Sequence, residues 1–177
     1  MTSSVVGLRR NSKALSKAKL VPKNVTVTVW WSAGSPIHYS FLNPGKTITF
    51  EKYAQQTNET HWKLQCLQPA LVNRVHPVLL HDNAQLHVAQ PTRQKLNKLG
   101  YKILPHLPYS PDLLPTTYHF FKHIDILQGN RFYNQQKAEN AFQEFIKSWS
   151  LDFYTTEINK LILYWQKCID CKGSYFN

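Results

Sequence analysis

One carboxylate stands where a strand should end. Pro77-Val78-Leu79-Leu80-His81-Asp82-Asn83 is a short apolar run closed by an acid, and Ala84-Gln85-Leu86-His87 continues in a helical pattern. A buried strand that delivers an acid at its carboxyl end is a common way to place a metal ligand in an open α/β sheet. Asp82 is therefore the first candidate catalytic residue and metal ligand. His81 and His87 flank it and could assist metal or phosphate binding, although His81 reads more simply as a strand-end residue packed beside the site. Asp112 sits in Ser110-Pro111-Asp112, where capping a turn is the simpler role. His119 and His123 lie one helical turn apart, and Cys168-Ile169-Asp170-Cys171 is a lone C-x-x-C. Neither pair has the further ligands a zinc site needs, so both read as structural.

The elements around Asp82 follow from periodicity and punctuation. Val25 to Trp31 alternates β-branched and polar residues, Ser32-Ala33-Gly34-Ser35 is a turn, and Ile37 to Leu42 returns. That predicts a hairpin. Thr49 to about Gln68 is predicted helical, with Tyr53, Thr57, Trp62, Leu64 and Leu67 on a rough stripe and Pro69 as terminator. After the Asp82 strand, Val88 to Leu99 reads as a helix with Pro91 in its first turn and Gly100 as its C-terminal cap. Tyr101 to Leu104 is a further strand, parallel to the first because a helix separates them. The span His106–Pro115 holds three prolines at 108, 111 and 115 and reads as an irregular loop. Thr116 or Thr117 is placed to cap a helix over Tyr118–Gln128. Two more helices are expected near Gln135–Ser148 and Phe153–Cys171, with Phe142, Phe145, Ile146 and Trp149, then Ile158, Leu161, Ile162 and Trp165, as core-facing stripes. The order is that of an α/β domain: a hairpin fused to a βαβ unit, with helices packed on the sheet.

Composition narrows the partner. The net charge is +11 and the pI about 9.6, which favours a polyanion such as nucleic acid. The charge is unevenly spread. Residues 1–50 carry Arg9, Arg10, Lys13, Lys17, Lys19, Lys23 and Lys46 and not one carboxylate. Residues 1–24 read as a basic, weakly structured arm and 25–177 as the folded domain. No apolar run approaches membrane-spanning length, and the first ten residues lack the apolar centre of a secretory signal. An odd cysteine count, 3, gives no disulfide framework and suits a reducing compartment.

Six stretches resemble the mariner transposase family: VTVTVWWSAGSPIHYSFLNPGKTIT, KLQCLQPALVN, LLHDNAQLHVAQPT, LGYKILPHLPYSPDLLPTTYHFFKH, NQQKAENAFQEF and WQKCIDCKGSYF. They run collinearly over about residues 24–177. The resemblance implies an RNase H-like mixed sheet with flanking helices. It also implies DNA cutting and joining by two-metal phosphoryl transfer, with Mg²⁺ or Mn²⁺ held by three carboxylates. Position by position, the family's second acid falls on Asp82. Its third falls thirty-five positions on, where this chain has Thr117. Its first belongs on a strand before Val25, where this chain has no acid at all.

The expectation is therefore a truncated, degenerate catalytic domain. Asp82 is its only retained acid and metal ligand, Thr117 occupies the third-acid position, and divalent-metal binding is short of ligands. Such a domain would bind DNA in the nucleus with cleavage and strand transfer lost. The resemblance further implies a link to double-strand break repair and replication fork processing. Two other readings stand beside it: a residual metal-dependent DNA endonuclease anchored on Asp82, and a non-catalytic remnant acting as a homodimer or interaction module through the helices from Phe142 to Trp165. The sheet is expected to lack the strand that should carry the first acid. Val5-Val6-Gly7-Leu8 is the only candidate to fill the gap, and glycine followed by Arg9-Arg10 is poor material for a central strand.

Overall fold

The computed structural model describes the backbone of residues 4–8 and all of residues 26–43, 46–124 and 135–172. Five strands form one sheet in the order β3-β2-β1-β4-β5. They are β1 (Ser4–Leu8), β2 (Thr26–Trp31), β3 (Pro36–Leu42), β4 (Val78–Leu80) and β5 (Lys102–Leu104). The described helices are α1 (Phe50–Leu67), α2 (Gln85–Val88), α3 (Gln90–Lys98), α4 (Gln135–Lys147) and α5 (Leu151–Asp170). Shorter turns of π or 3-10 type cover Leu71–Val75, Pro111–Leu113 and Thr116–Phe121.

The centre of the sheet corrects the expectation of a missing strand. Ser4–Leu8 is that strand, antiparallel to β2 with Val6 opposite Trp31 and parallel to β4 with Val5 opposite Leu79. The physical reason is the cost of the alternative. A gap between hairpin and βαβ unit would leave two rows of buried N–H and C=O groups unpaired, and that outweighs the weak strand propensity of one glycine. The first part of the expected arm is thus sheet, while the rest of it, residues 9–25, lies outside the described residues.

Strand periodicity then sorts the core into two layers. Trp31 and Leu80 face one side, among Leu114, Phe120, Phe142, Ile146, Tyr154, Ile158 and Leu161. Trp30 and Leu79 face the other, among Tyr53, Leu64, Leu96 and Tyr101. The first layer is covered by α4 and α5, the second by α1 and α3. On α5 the buried residues are Tyr154, Ile158 and Leu161, a helical stripe as expected. Ile162, placed on that stripe from the sequence, is instead 66 % exposed. Trp62 and Leu67 of α1 likewise point outward. Thr57 is buried, as its place on the stripe predicts, and so is Thr60, which lies off it; each hydroxyl donates to a carbonyl one turn back, Tyr53 O at 2.8 Å and Gln56 O at 2.7 Å.

Local punctuation behaves as its chemistry dictates. Thr49 Oγ1 accepts from the Lys52 N–H at 3.3 Å and starts α1. Gly100, at φ 78°, turns the chain out of α3. The helix expected over Val88–Leu99 is broken at Ala89 (φ −56°, ψ 139°). The turn before Phe121 begins behind Pro115 with no side-chain cap, so neither Thr116 nor Thr117 caps it. Thr116 is fully buried and accepts from the Trp31 indole N–H at 3.0 Å. The turn continues as helix to Ile124, and the remainder of the expected helix to Gln128 lies outside the described residues.

Two outcomes follow. Val6→Pro places a residue that cannot donate in a strand paired on both sides, and the cooperative urea transition followed by circular dichroism should be lost. Thr116→Val removes the acceptor of a buried indole N–H and should lower unfolding free energy by about 1–3 kcal/mol, read as a shifted urea midpoint with unchanged slope.

Candidate functional site

Two parallel neighbours, β4 and β5, end side by side, and the residues just beyond them build the site. Asp82 follows β4 by two residues and is partly buried. Its Oδ1 accepts the Ala84 N–H at 3.1 Å, an Asx turn that opens α2. The same oxygen accepts from His87 Nδ1 at 2.6 Å. His87 is buried on α2 between two rings, with the Tyr53 and His81 centroids each 5.0 Å away. The carboxylate is thus clamped through one oxygen. Burial alone would raise the Asp82 pKa, but the hydrogen bond and charge of His87 and the Ala84 N–H outweigh it and hold the group below the usual carboxylate range.

Asp82 lines a cleft of about 700 Å³ with Asn83, Val88, His106, Pro108, Tyr109, Ser110, Pro111 and Thr117. The structure therefore brings Asp82 and Thr117 to one cavity. The Asn83 amide ties its two walls together by donating to the His106 carbonyl at 2.8 Å. Asp112 does not join them. It lies on the Pro111–Leu113 turn and lines a separate cleft of about 370 Å³ with Tyr118, His119, Lys122, His123, Glu157 and Tyr164. In that second cleft His119 Nε2 donates to Phe153 O at 3.0 Å and His123 Nδ1 to His119 O at 2.8 Å. Cys168 and Cys171 are free thiols near the end of α5.

The donor set does not fit a pair of hard cations. Mg²⁺ and Mn²⁺ want several hard oxygens, most of the charge coming from carboxylates. Among the described residues the cleft offers one carboxylate, half committed to His87, with neutral hydroxyls from Ser110 and Thr117. No group of three His, Cys, Asp or Glu among the described residues could hold a metal ion.

His87 and the β5 side of the cleft were the harder parts to foresee. His87 was legible as a neighbour of Asp82 in sequence, but its hydrogen bond depends on the short α2 turn. Asn83, His106 and Tyr109 carry no motif. Their one signal is topological, because residues following adjacent parallel strands must meet.

A five-stranded mixed sheet with helices on both faces, and an acid at the end of the strand beside the central one, is the RNase H-like fold. A family model described as transposase (partial DDE domain) matches residues 3–74, which includes β1. The catalytic domain of the Mos1 mariner transposase superposes with a TM-score of 0.87 at 32 % identity, covering 98 % of this chain and 84 % of that one. The Mos1 paired-end complex with Mn gives 0.85 at 29 % identity, covering 98 % of this chain and 56 % of that one. In sequence, the human histone-lysine N-methyltransferase SETMAR is 68 % identical over 166 residues, 93 % of this chain and 24 % of that protein. The Mos1 transposase of Drosophila mauritiana is 35 % identical over 155 residues, 86 % of this chain and 45 % of that protein. This chain belongs to the mariner transposase family. It spans about a quarter of SETMAR and under half of the Mos1 transposase. No described helix is long and apolar enough to cross a membrane.

Burial also gives the site a pH dependence. His81 is held neutral, its pKa pushed down to about 4, chiefly by desolvation and further by His87 and His106, against the pull of the Asp82 carbonyl and charge. Its ordinary value is about 6.5. Stability from keeping it neutral is complete above that value and is lost as pH falls towards 4, on the order of 3 kcal/mol in total. Burial lowers His38, His61, His106 and His119 as well. Urea midpoints should therefore fall steeply between pH 7 and pH 4.5, and His81→Asn should flatten part of that fall.

Proposed function

We propose that this chain is a degenerate mariner catalytic domain that binds DNA in the nucleus and no longer cuts or joins it. The observation that carries the reading is the acid count of the cleft: among the described residues Asp82 is the only carboxylate lining it. Thr117 stands at the third-acid position, and β1, Ser4-Val5-Val6-Gly7-Leu8, brings no acid to the centre of the sheet. A hydroxyl is a weak neutral ligand and cannot replace the charge that a two-metal site requires. Asp82 is the residue that would hold a divalent ion if one entered. Mos1 catalytic-domain structures were solved with Mn and with Mg, so divalent chemistry is the ancestral expectation.

Grip on DNA rests on different residues. From Asn83 to Pro111 there is no Asp or Glu, and this stretch carries Arg93, Lys95, Lys98 and Lys102. The first three lie on α3, which follows directly from the cleft-lining Val88, and Arg93, Lys98 and Lys102 are exposed. Such contacts address phosphates and position the chain without reading sequence. The similarity to Mos1 complexes with transposon ends supports DNA as the partner, and the similarity to SETMAR supports a nuclear role linked to double-strand break repair and replication fork processing.

Duplex affinity should fall with salt at a logarithmic slope of about −3 to −4, from roughly 0.9 per phosphate neutralised by these four cations. The Arg93→Ala/Lys98→Ala double variant should lower the magnitude of that slope by about 2. Absence of binding at low salt rejects the reading. The competing one, a residual endonuclease, is decided by nicking assays in Mn²⁺ with wild type and Asp82→Ala. The expected result is no difference between them, whereas nicking that depends on Asp82 establishes the alternative.

A further inference from the structure

The imidazole of His38 lies between two oppositely charged side chains that helical spacing would pair directly. Glu59 and Lys63 stand four residues apart on α1 with the acid first, the order that favours an ion pair along a helix surface. A ring from the sheet bridges them. His38, on β3, places Nδ1 2.9 Å from Lys63 Nζ and Nε2 3.2 Å from Glu59 Oε2. Glu59 is held in turn through its other oxygen, which accepts from Gln55 Nε2 at 2.9 Å.

The bridge has a fixed direction. A charged lysine only donates, so His38 Nδ1 is the acceptor and the ring proton of neutral His38 sits on Nε2, facing Glu59. The ring is 7 % exposed and its strand is paired with β2 at Trp30, whereas Lys63 is half-buried and reaches solvent. Burial first, and then the charge of Lys63, lowers the His38 pKa against the pull of Glu59, with Lys52 adding to the fall. The ring is therefore a neutral base near pH 7, with its basic nitrogen on a primary amine and a carboxylate behind it. Acid, imidazole and nucleophile in that order form the arrangement that activates hydroxyls and thiols in acyl transfer, and geometry rather than sequence defines it. The nucleophile at this place is an amine.

We propose that Lys63 is an acyl-acceptor site for thioesters of the coenzyme A type, with His38 as general base and Glu59 as the residue that positions the ring. The uncharged Lys63 amine attacks the thioester carbonyl, a C–N bond forms, and the C–S bond breaks as the thiolate leaves. The proton lost by the nitrogen passes to His38 Nδ1 and then to the departing thiolate, so the ring is regenerated and the product is an amide. A thioester suits the site because a thiolate leaves without a separate general acid. Acylation removes one positive charge from the face of α1 beside β3. The proposal is independent of the cleft at Asp82.

The test incubates the full chain with acetyl-coenzyme A and follows acetylation of each lysine by mass spectrometry in one sample. Lys98 and Lys102 are more exposed than Lys63, so exposure alone ranks Lys63 behind them. Lys63 should instead react about ten-fold faster than either, below the usual gain from a positioned base because the site is open to water. His38→Gln keeps a side chain that can accept from Lys63 and donate to Glu59 but cannot take the proton, and should bring Lys63 down to the rate of Lys98. Glu59→Gln should lower the Lys63 rate by less, with the circular dichroism spectrum unchanged in both variants. Lys63 reacting no faster than Lys98 in wild type, or keeping its lead in His38→Gln, overturns the proposal. The wild-type ranking is read within one folded sample, so it decides the matter even where a variant fails to fold.

Discussion

The fold hangs on the pairing of one five-residue strand. β1 is antiparallel to the hairpin on one side and parallel to β4 on the other, so it alone joins the two halves of the sheet. Everything that aims Asp82 depends on that junction. β4 has only three residues, Val78–Leu80, too few to hold a direction without a neighbour on each side. With β1 and β5 flanking it, the end of β4 becomes a fixed point, and the short α2 turn can then bring His87 back within hydrogen-bond reach of Asp82. Backbone groups buried in the middle of a sheet must be paired, which is why a stretch of indifferent propensity is drawn into the role.

That same stretch marks where sequence reading stops. The hairpin, α1 and α5 were legible because their signals are local: β-branched alternation, a terminating proline, apolar spacing of three and four. β1 was not, because its defining partner lies more than seventy residues away in β4. Its own residues, with Gly7 inside and two arginines following, argue against a central strand. Trp62, Leu67 and Ile162 failed for a related reason. A large apolar side chain looks like core in any periodic count, yet small threonines on α1 are what fit beneath the sheet. Asp82 was legible from the strand it closes. The cleft around it was not, since Asn83 and His106 meet only because β4 and β5 are adjacent and parallel. Thr116 shows the limit most plainly. Its spacing suits a helix cap, but the indole N–H of Trp31, eighty-five positions earlier, has a stronger claim on its oxygen, because an unpaired buried donor costs about 1–3 kcal/mol.

The clamp on Asp82 is informative about what the site retains. A carboxylate held by a histidine and a backbone N–H keeps its charge and its orientation without any cation present. Neighbouring His81 and His106 have pKa values depressed chiefly by burial, so near neutral pH these two rings do little to offset the acid's charge. The second cleft differs. There Glu157 pairs with Lys160 at 2.6 Å and lies 4.0 Å from His119 Nδ1, and one nitrogen of each histidine is spent on a backbone carbonyl, so its polar groups serve the packing of α5 against the Thr116–Phe121 turn.

Losing acids from a cleft changes more than metal affinity. Each carboxylate repels an approaching phosphate, by roughly 0.7 kcal/mol at 6 Å in water and more where solvent is excluded. A cleft lined by several acids needs its cations in place before it can admit DNA. A cleft with Asp82 alone carries a smaller barrier, comparable to what one exposed lysine at the same distance offsets within the screening length of about 8 Å. Its shape, meanwhile, is set by prolines, the Asn83–His106 tie and the strained turn at Tyr109 (φ 58°), none of which involves a metal. On the proposed reading, binding and chemistry draw on separate residues in this domain. The second can vanish with two side chains while the first is left intact, or is strengthened at low metal.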